Sequence, residues 1–265
     1  MDMMDDVLGY ESDGEIARLA LSRPEKRNAI NDRMIEALSK GIARAHGEAK
    51  AAVLCGIGTH FCAGLDLAEH VERDALDDLR NSRRWHAVFA QMEFGPIPWV
   101  CALHGAVVGG GLEIAAATHI RVAEAGAFFA LPEGQRGIFV GGGASVRVAR
   151  LIGASRMADL MLSGRVAKAE EAERWGLVQY VTEAGAEACL AEADRIARQA
   201  AKNAPFSNYA VIHALPRIQD MSREDGLMTE SFVAALSTGT DEAKHRLRAF
   251  FAGKAGKVAP KDPPS

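Results

Sequence analysis

Three features of this sequence predict an α/β fold. Up to about residue 200, short apolar runs alternate with stretches whose apolar residues fall at helical spacing. Several of those runs are apolar throughout, as strands covered on both faces are. From Ala186 onward the pattern is helical alone, so the strands belong to the part before it.

The elements follow in order. The acidic start, MDMMDDVLGYESDGE, lacks the apolar core of a signal peptide, and neither strand nor helix is placed there. EIARLALS (15–22) reads as the first strand. Asn31–His46 has helical spacing, and Asn31 suits the N-cap because its side-chain oxygen can accept an orphan N–H of the first turn. AAVLCGIG (51–58) is a second strand, Ala75–Met92 a second helix, and PWVCALHG (98–105), HIRVAEA (119–125) and LVQYVT (177–182) are further strands. The later helices should break near Pro205, Pro216 and Gly239, and GKVAPKDPPS should fray. Residues 1–200 therefore read as an α/β core, 201–257 as a helical region and 258–265 as a flexible tail. No internal period indicates a solenoid.

Composition narrows the function. The 265 residues are 48% hydrophobic, enough for a sizeable core. A net charge of -4 and only 6% aromatics argue against nucleic acid as a partner. The four cysteines, Cys55, Cys62, Cys101 and Cys189, form no CxxC pair and read as reduced, buried thiols rather than a metal or redox site. No run reaches the roughly 18 apolar residues of a membrane span. The expectation is a soluble, cytoplasmic protein without membrane contact.

Two segments leave a strand through glycines and enter a helical pattern: GIGTHFCAGLDLAEH (56–70) and HGAVVGGGLEIAAA (104–117). Glycine lets a backbone approach a ligand closely, and N–H groups at a helix start lack intrahelical partners. Such loops suit an anion or a developing oxyanion, although a single one is more often just a tight turn. No GKS or GKT follows either loop and GxGxxG is absent, which disfavours a nucleotide site. A third run, FVGGGASVRVARLIG (139–153), reads as another helix entry.

Glu113, in GGGLEIAAA, and Glu133, in AFFALPEGQRGIFVGGG, have neighbours that predict burial. Buried carboxylates need partners or a task, and as a pair they suit general acid–base work. His60, His104 and His119 lie near the loops but have no Ser or Cys partner in a nucleophile motif, so structural roles are expected, with His60 the best placed to line an entrance. Trp85, Val88 and Phe89 are candidates to line an acyl pocket, against the plainer reading of a core-facing helix stripe.

RPEKRNAI (23–30), THFCAGLDL (59–67), HGAVVGGGLEIAAA (104–117), LPEGQRGIFVGGG (131–143) and the helix-rich end together resemble the crotonase (enoyl-CoA hydratase/isomerase) superfamily over about residues 10–257. Within it, three blocks look most like the methylthioacryloyl-CoA hydratase branch of dimethylsulfoniopropionate breakdown. The resemblance implies a spiral of repeated ββα units, then a helical trimerisation region, and homo-trimers or homo-hexamers. It implies acyl-CoA thioesters as substrates, with coenzyme A as part of the substrate and no metal or redox cofactor.

Carried over by motif, the N–H groups of Ala63 and Gly110 should form an oxyanion hole. Glu113 corresponds to the glutamate that positions or deprotonates water, and Glu133 to the one that exchanges a proton with the α-carbon. Holding both points to hydration. Lys26, Arg27, Ala29, Leu65, Asp66 and Leu67 fall where the family contacts CoA, and Phe250 and Lys254 where it meets a neighbouring subunit's CoA. Val140 stands where a proline is common, and Phe139–Val140 should wall the acyl chain. The alternatives are an enoyl-CoA isomerase, an acyl-CoA thioester hydrolase, or a non-catalytic, RNA-binding member. Acyl-chain length and pathway stay open.

Overall fold

The wholly apolar runs build the centre of a sheet. In the computed structural model, which describes residues 1–69, 71 and 73–254, the first unit begins with β1 (Asp2–Met4), β2 (Leu8–Ser12), β3 (Ile16–Leu21), α1 (Asp32–Glu48), β4 (Ala51–Gly56), α2 (Ala75–Glu93) and β5 (Trp99–Leu103). It continues through β6 (Ala106–Val108), α3 (Gly110–Ala115), β7 (Ile120–Glu124), β8 (Phe128–Ala130), α4 (Ala144–Ile152), α5 (Ala154–Ser163), β9 (Ala167–Lys168), α6 (Ala169–Trp175), β10 (Tyr180–Thr182) and α7 (Ala186–Ala201).

Seven strands form one sheet in the order β1-β2-β3-β4-β5-β7-β10. The β1/β2 and β2/β3 pairs are antiparallel, and the remaining pairs are parallel. A second sheet has the order β6-β8-β9.

Side chains alternate across a strand, so a strand buried on both faces feeds two cores. In β4, Ala52 and Leu54 enter the larger core, and Ala51, Val53 and Cys55 the smaller one. In β5, Trp99, Cys101 and Leu103 enter the larger core, and Val100 and Ala102 the smaller. Met34, Ile35 and Leu38 of α1 and Trp85, Phe89 and Met92 of α2 fill the larger core. Cys189, Ala193, Ile196 and Ala197 of α7 close the smaller. Each large side chain buried this way contributes about 1.5–3 kcal/mol.

The caps follow the sequence. Asn31 Oδ1 accepts from Met34 N at 3.0 Å, and Asp74 Oδ1 from Leu76 N and Asp77 N, both at 2.8 Å. β1 and β2 were not anticipated. Their alternation is short and interrupted by Asp5 and Asp6, both at positive φ, yet Leu8 and Tyr10 are fully buried.

The compact units are Met1–Lys202 and the part from Asn203 on. The second holds α8 (Pro205–Ile218), α9 (Arg223–Gly239) and α10 (Asp241–Phe251). Pro205 sits at the first turn of α8, where its missing N–H costs nothing. The break expected near Pro216 follows it closely: α8 ends at Ile218, two residues on, and the Arg217 side chain bonds the His213 carbonyl at 2.6 Å, satisfying one acceptor of the last turn. Gly239 ends α9. The tail 258–265 lies outside the described residues. Among those described, no helix is long and apolar enough to cross a membrane.

Candidate active site

The two glycine-rich loops are stitched together as they leave the sheet. Phe61 N donates to His104 O at 2.8 Å, Cys62 N to Ala106 O at 3.0 Å, and Val108 N to Cys62 O at 3.1 Å. Gly64 holds φ +101° with its α-carbon against the other loop. A Cβ there would lie 2.8 Å from Val108 O, so no other residue fits. Gly109 holds φ +52° and turns the chain into α3.

That packing settles which N–H groups face the site. The expectation for Ala63 is overturned, because its N–H donates to Arg27 O at 2.9 Å and has no capacity left for a substrate. Beyond Gly64 the backbone direction reverses: Gly64 O accepts from Ile30 N at 2.7 Å, and Asp66 N donates to Ile30 O at 2.9 Å. The Leu65 N–H between them is left facing the other way, with no acceptor among the described residues. A Cβ built on Gly110 would lie 3.4 Å from Leu65 N, so these two amides are neighbours. Gly110 N, at the first position of α3, likewise has no acceptor among the described residues. Leu65 and Gly110 therefore form the donor pair. The displacement from Ala63 to Leu65 arises at the positive-φ glycine, which reverses the regular alternation of N–H directions.

The two glutamates occupy one cavity in different surroundings. Glu113, only 4% exposed, accepts from Gly142 N at 2.8 Å and Ala144 N at 3.1 Å through Oε1. Burial raises its pKa, while those two N–H donors and the Arg147 charge pull it back towards the ionised form. Glu133, 7% exposed, follows Pro132 in a short 3-10 turn, Glu133–Arg136. Its Oε2 is buried without a hydrogen-bond partner among the described residues. Burial first, then the negative charge of Glu113, push its pKa up to about 7. One carboxylate is thus solvated by backbone donors, and the other is suited to carry a proton near neutrality.

The cavity measures about 430 Å³. Ala63, Leu65, Leu67, Gly110, Glu113, Glu133, Phe139 and Val140 of the sequence candidates line it. Phe139 is 69% exposed at its edge, whereas Val140 is buried. Lys26, Arg27, Ala29 and Asp66 do not line it. Asp66 pairs with Arg23 at 2.9 Å, and Arg23 also bonds the Ala29 carbonyl at 2.6 Å. Lys26 and Arg27 sit in an exposed turn, with Arg27 at φ +50°. Phe250 and Lys254 belong to the second unit and are exposed there.

Several lining residues carried no motif. Asp78, Asn81, Ser82 and Trp85 share one face of α2, and all four line the cavity. Asp78, Asn81 and Ser82 are polar and fell outside the stripe of Trp85, Val88 and Phe89 read from the sequence. Trp85 combines both readings offered for it, since it is a core residue that also reaches the cavity, whereas Val88 and Phe89 are core alone. Gly142 meets Glu113 from the third glycine run, where a Cβ would lie 2.7 Å from Oε2.

The histidines serve the scaffold. His104 Nε2 lies 3.0 Å from Gly58 O, His119 Nδ1 accepts from Trp99 N at 2.9 Å, and His60 Nδ1 accepts from Ala106 N at 3.1 Å. His60 does not line the cavity. The four cysteines are buried and free.

A family model described as enoyl-CoA hydratase/isomerase matches residues 11–254. The short-chain-enoyl-CoA hydratase of Clostridium acetobutylicum is 30% identical over 243 residues, covering 91% of this chain and 92% of that protein. A solved Rhodopseudomonas palustris protein, provisionally designated an enoyl-CoA hydratase, superposes with a TM-score of 0.91 at 47% identity, covering 95% of this chain and 96% of its own. An enoyl-CoA hydratase of Thermoplasma volcanium superposes with a TM-score of 0.86 at 28% identity, covering 92% and 97%.

Proposed function

Because this chain belongs to the enoyl-CoA hydratase/isomerase (crotonase) superfamily, we propose that its cavity adds water across the α,β double bond of an enoyl-CoA thioester. The observation that carries this reading is the pair of unlike carboxylates beside two free backbone N–H groups. The thioester oxygen accepts from Leu65 N–H and Gly110 N–H. Polarisation makes the β-carbon electrophilic. Glu113, as carboxylate, takes a proton from water as its oxygen bonds the β-carbon. The π electrons move towards the thioester oxygen, and the enolate closes by taking a proton from Glu133 at the α-carbon. The product gains one water, and return of the proton from Glu113 to Glu133 resets the site. Only acid–base groups and amide donors are used, with coenzyme A entering as part of the substrate.

Lys26, Arg27 and Asp66 in the first unit, and Phe250 and Lys254 in the second, are proposed CoA contacts outside the acyl cavity. The helical unit leaves Phe232, Leu236, Phe250 and Phe251 more than half exposed, which supports assembly as a homo-trimer or homo-hexamer; light scattering in solution tests it.

The finer proposal, supported by the resemblance of three sequence blocks, is methylthioacryloyl-CoA as substrate. Its β-hydroxy adduct is a hemithioacetal that expels methanethiol and leaves an aldehyde. A kinetic panel of crotonyl-, longer enoyl- and methylthioacryloyl-CoA with mass analysis of products tests both levels. With crotonyl- and longer enoyl-CoA, a gain of 18 mass units supports hydration, an unchanged mass indicates isomerisation, and free CoA without hydrated product indicates thioester hydrolysis; with methylthioacryloyl-CoA, release of methanethiol supports hydration.

A further inference from the structure

The loop that meets Glu113 is held by its carbonyls, one of them bonded to a group that lines no part of the cavity. Gly142 N–H and Ala144 N–H both converge on Glu113 Oε1. The carbonyls of this loop are taken up on the far side: Ser82 Oγ donates to Gly141 O at 2.6 Å, and Arg147 Nη1 donates to Gly142 O at 3.0 Å. Arg147 is in turn fixed, its Nε donating to Glu93 Oε2 at 2.7 Å. The Arg147 side chain is 11% exposed and that of Glu93 28%, so the pair is shielded enough to hold its geometry. Arg147 therefore spans α4, the glycine loop and the end of α2, while lining no part of the cavity.

We propose that Arg147, pinned by Glu93, is a positioning residue for the reaction: by holding Gly142 O it fixes the Gly142–Gly143 peptide, whose Gly143 N–H faces Glu113, and it sets a positive charge behind that carboxylate. This rests on the reading of Glu113 as the base. Rotating the Gly142–Gly143 peptide away would break the Arg147 bond to Gly142 O and turn the Gly143 N–H from Glu113, while Ser82 holds the preceding peptide, which carries the Gly142 N–H, through Gly141 O. Glycine is needed at 142, because a Cβ would lie 2.7 Å from Glu113 Oε2 and 2.9 Å from the Trp85 ring. With glycine at 141, 142 and 143 the loop has no side chains to pack, and the clamp supplies a restraint on its backbone. Charged groups around the carboxylate are Glu133 on its turn and Arg147 on α4. Arg136 acts on Glu133, while His86 on α2 faces Arg147 and Arg83. Removing Arg147 removes the positive contribution that favours ionised Glu113.

The test compares wild type, Arg147→Gln, Arg147→Lys and Glu93→Gln in crotonyl-CoA hydration across pH. In Arg147→Gln, kcat should fall about tenfold or more while KM stays within about twofold. The acid limb of kcat/KM should move to higher pH. Arg147→Lys keeps the charge but cannot reach both Glu93 and Gly142 O, so its acid limb should return towards wild type while kcat stays low. Glu93→Gln should lower kcat in the same direction but less, because Arg147 keeps its charge and loses only its anchor.

A readout free of turnover separates the two readings. In protein carrying 13C-labelled glutamate carboxyls, with Glu113→Gln identifying the resonance, Glu113 should titrate at higher pH in Arg147→Gln than in wild type. If wild type hydrates crotonyl-CoA yet the Glu113 titration and kcat are unmoved in the folded variants, the clamp is wrong. If the titration moves but wild type does not hydrate any enoyl-CoA, the hydratase reading is wrong and the clamp stands.

Discussion

Glu113 and Glu133 share a cavity, a side-chain type and near-complete burial, but their surroundings differ. Glu113 is held on a helix with two backbone amides on one oxygen. Glu133 stands on a short turn with a buried oxygen that no described group bonds. The contrast shows that the backbone around a carboxylate, and not only its depth, bears on how readily it ionises. Desolvation raises the pKa of both; Ala144, Gly142 and Gly143 amides oppose it at Glu113, and at Glu133 only its own backbone N–H does, while the negative charge of Glu113 adds to the rise.

The sharpest way to break the contrast is to delete each carboxylate. Glu113→Ala and Glu133→Ala should each lower kcat for crotonyl-CoA hydration by about 10²–10⁴-fold while CoA binding persists. Near-wild-type turnover in either would end the division of labour. Gly110→Ala comes next, since its Cβ would press the Trp85 ring at 2.8 Å and crowd Leu65 N; a loss of about 10²–10³-fold in kcat is expected, as for a lost oxyanion donor.

The pH dependence is a finer test. Glu133 must hold a proton to deliver it, so kcat/KM should decline as pH rises through about 7, and Glu133→Gln should abolish that limb along with most activity. Stability follows the same group. Its folded pKa lies above the ordinary 4.5, so the folded state binds the proton more tightly than the unfolded chain. Stability is therefore greatest below that window and falls as pH climbs from 4.5 to 7. Glu133→Gln should melt higher than wild type at pH 8, by roughly 2 kcal/mol in stability, and equal it near pH 4. The smallest effect serves as a control. Asn31→Ala, which removes the cap on Met34 N, should cost about 1 kcal/mol and leave both pH limbs where they were.

Much of this was legible in the chain. β4 and β5 are uniform apolar runs, and two-sided burial leaves little else for them to be, while β3 and β7 stay recognisable around Arg18 and around Arg121 and Glu124. Glu113 and Glu133 stood out because apolar neighbours surround groups that dislike such company. Leu65 was read as a CoA contact and its free N–H was missed, because that depends on the direction of an N–H after a positive-φ glycine, and direction has no residue type. Arg147 was missed for a related reason: an arginine in a helix next to glycines is ordinary until the fold brings Glu93 to it. Pro216 marked the end of α8 to within two residues, since a proline that close to the end disrupts few helical bonds.

One detail of the glycines bears on how such a site changes over generations. A Cβ on Gly109 would fall 2.7 Å from Glu133 Oε1, and one on Gly142 equally close to Glu113 Oε2. Each acid thus fills the volume that the smallest side chain would claim. One substitution to alanine at either position would leave both glutamates in the sequence while crowding the space beside one of them. A lineage can silence this chemistry by gaining a methyl group rather than by losing an acid, so the survival of both glutamates is weaker testimony to activity than the survival of the two glycines beside them.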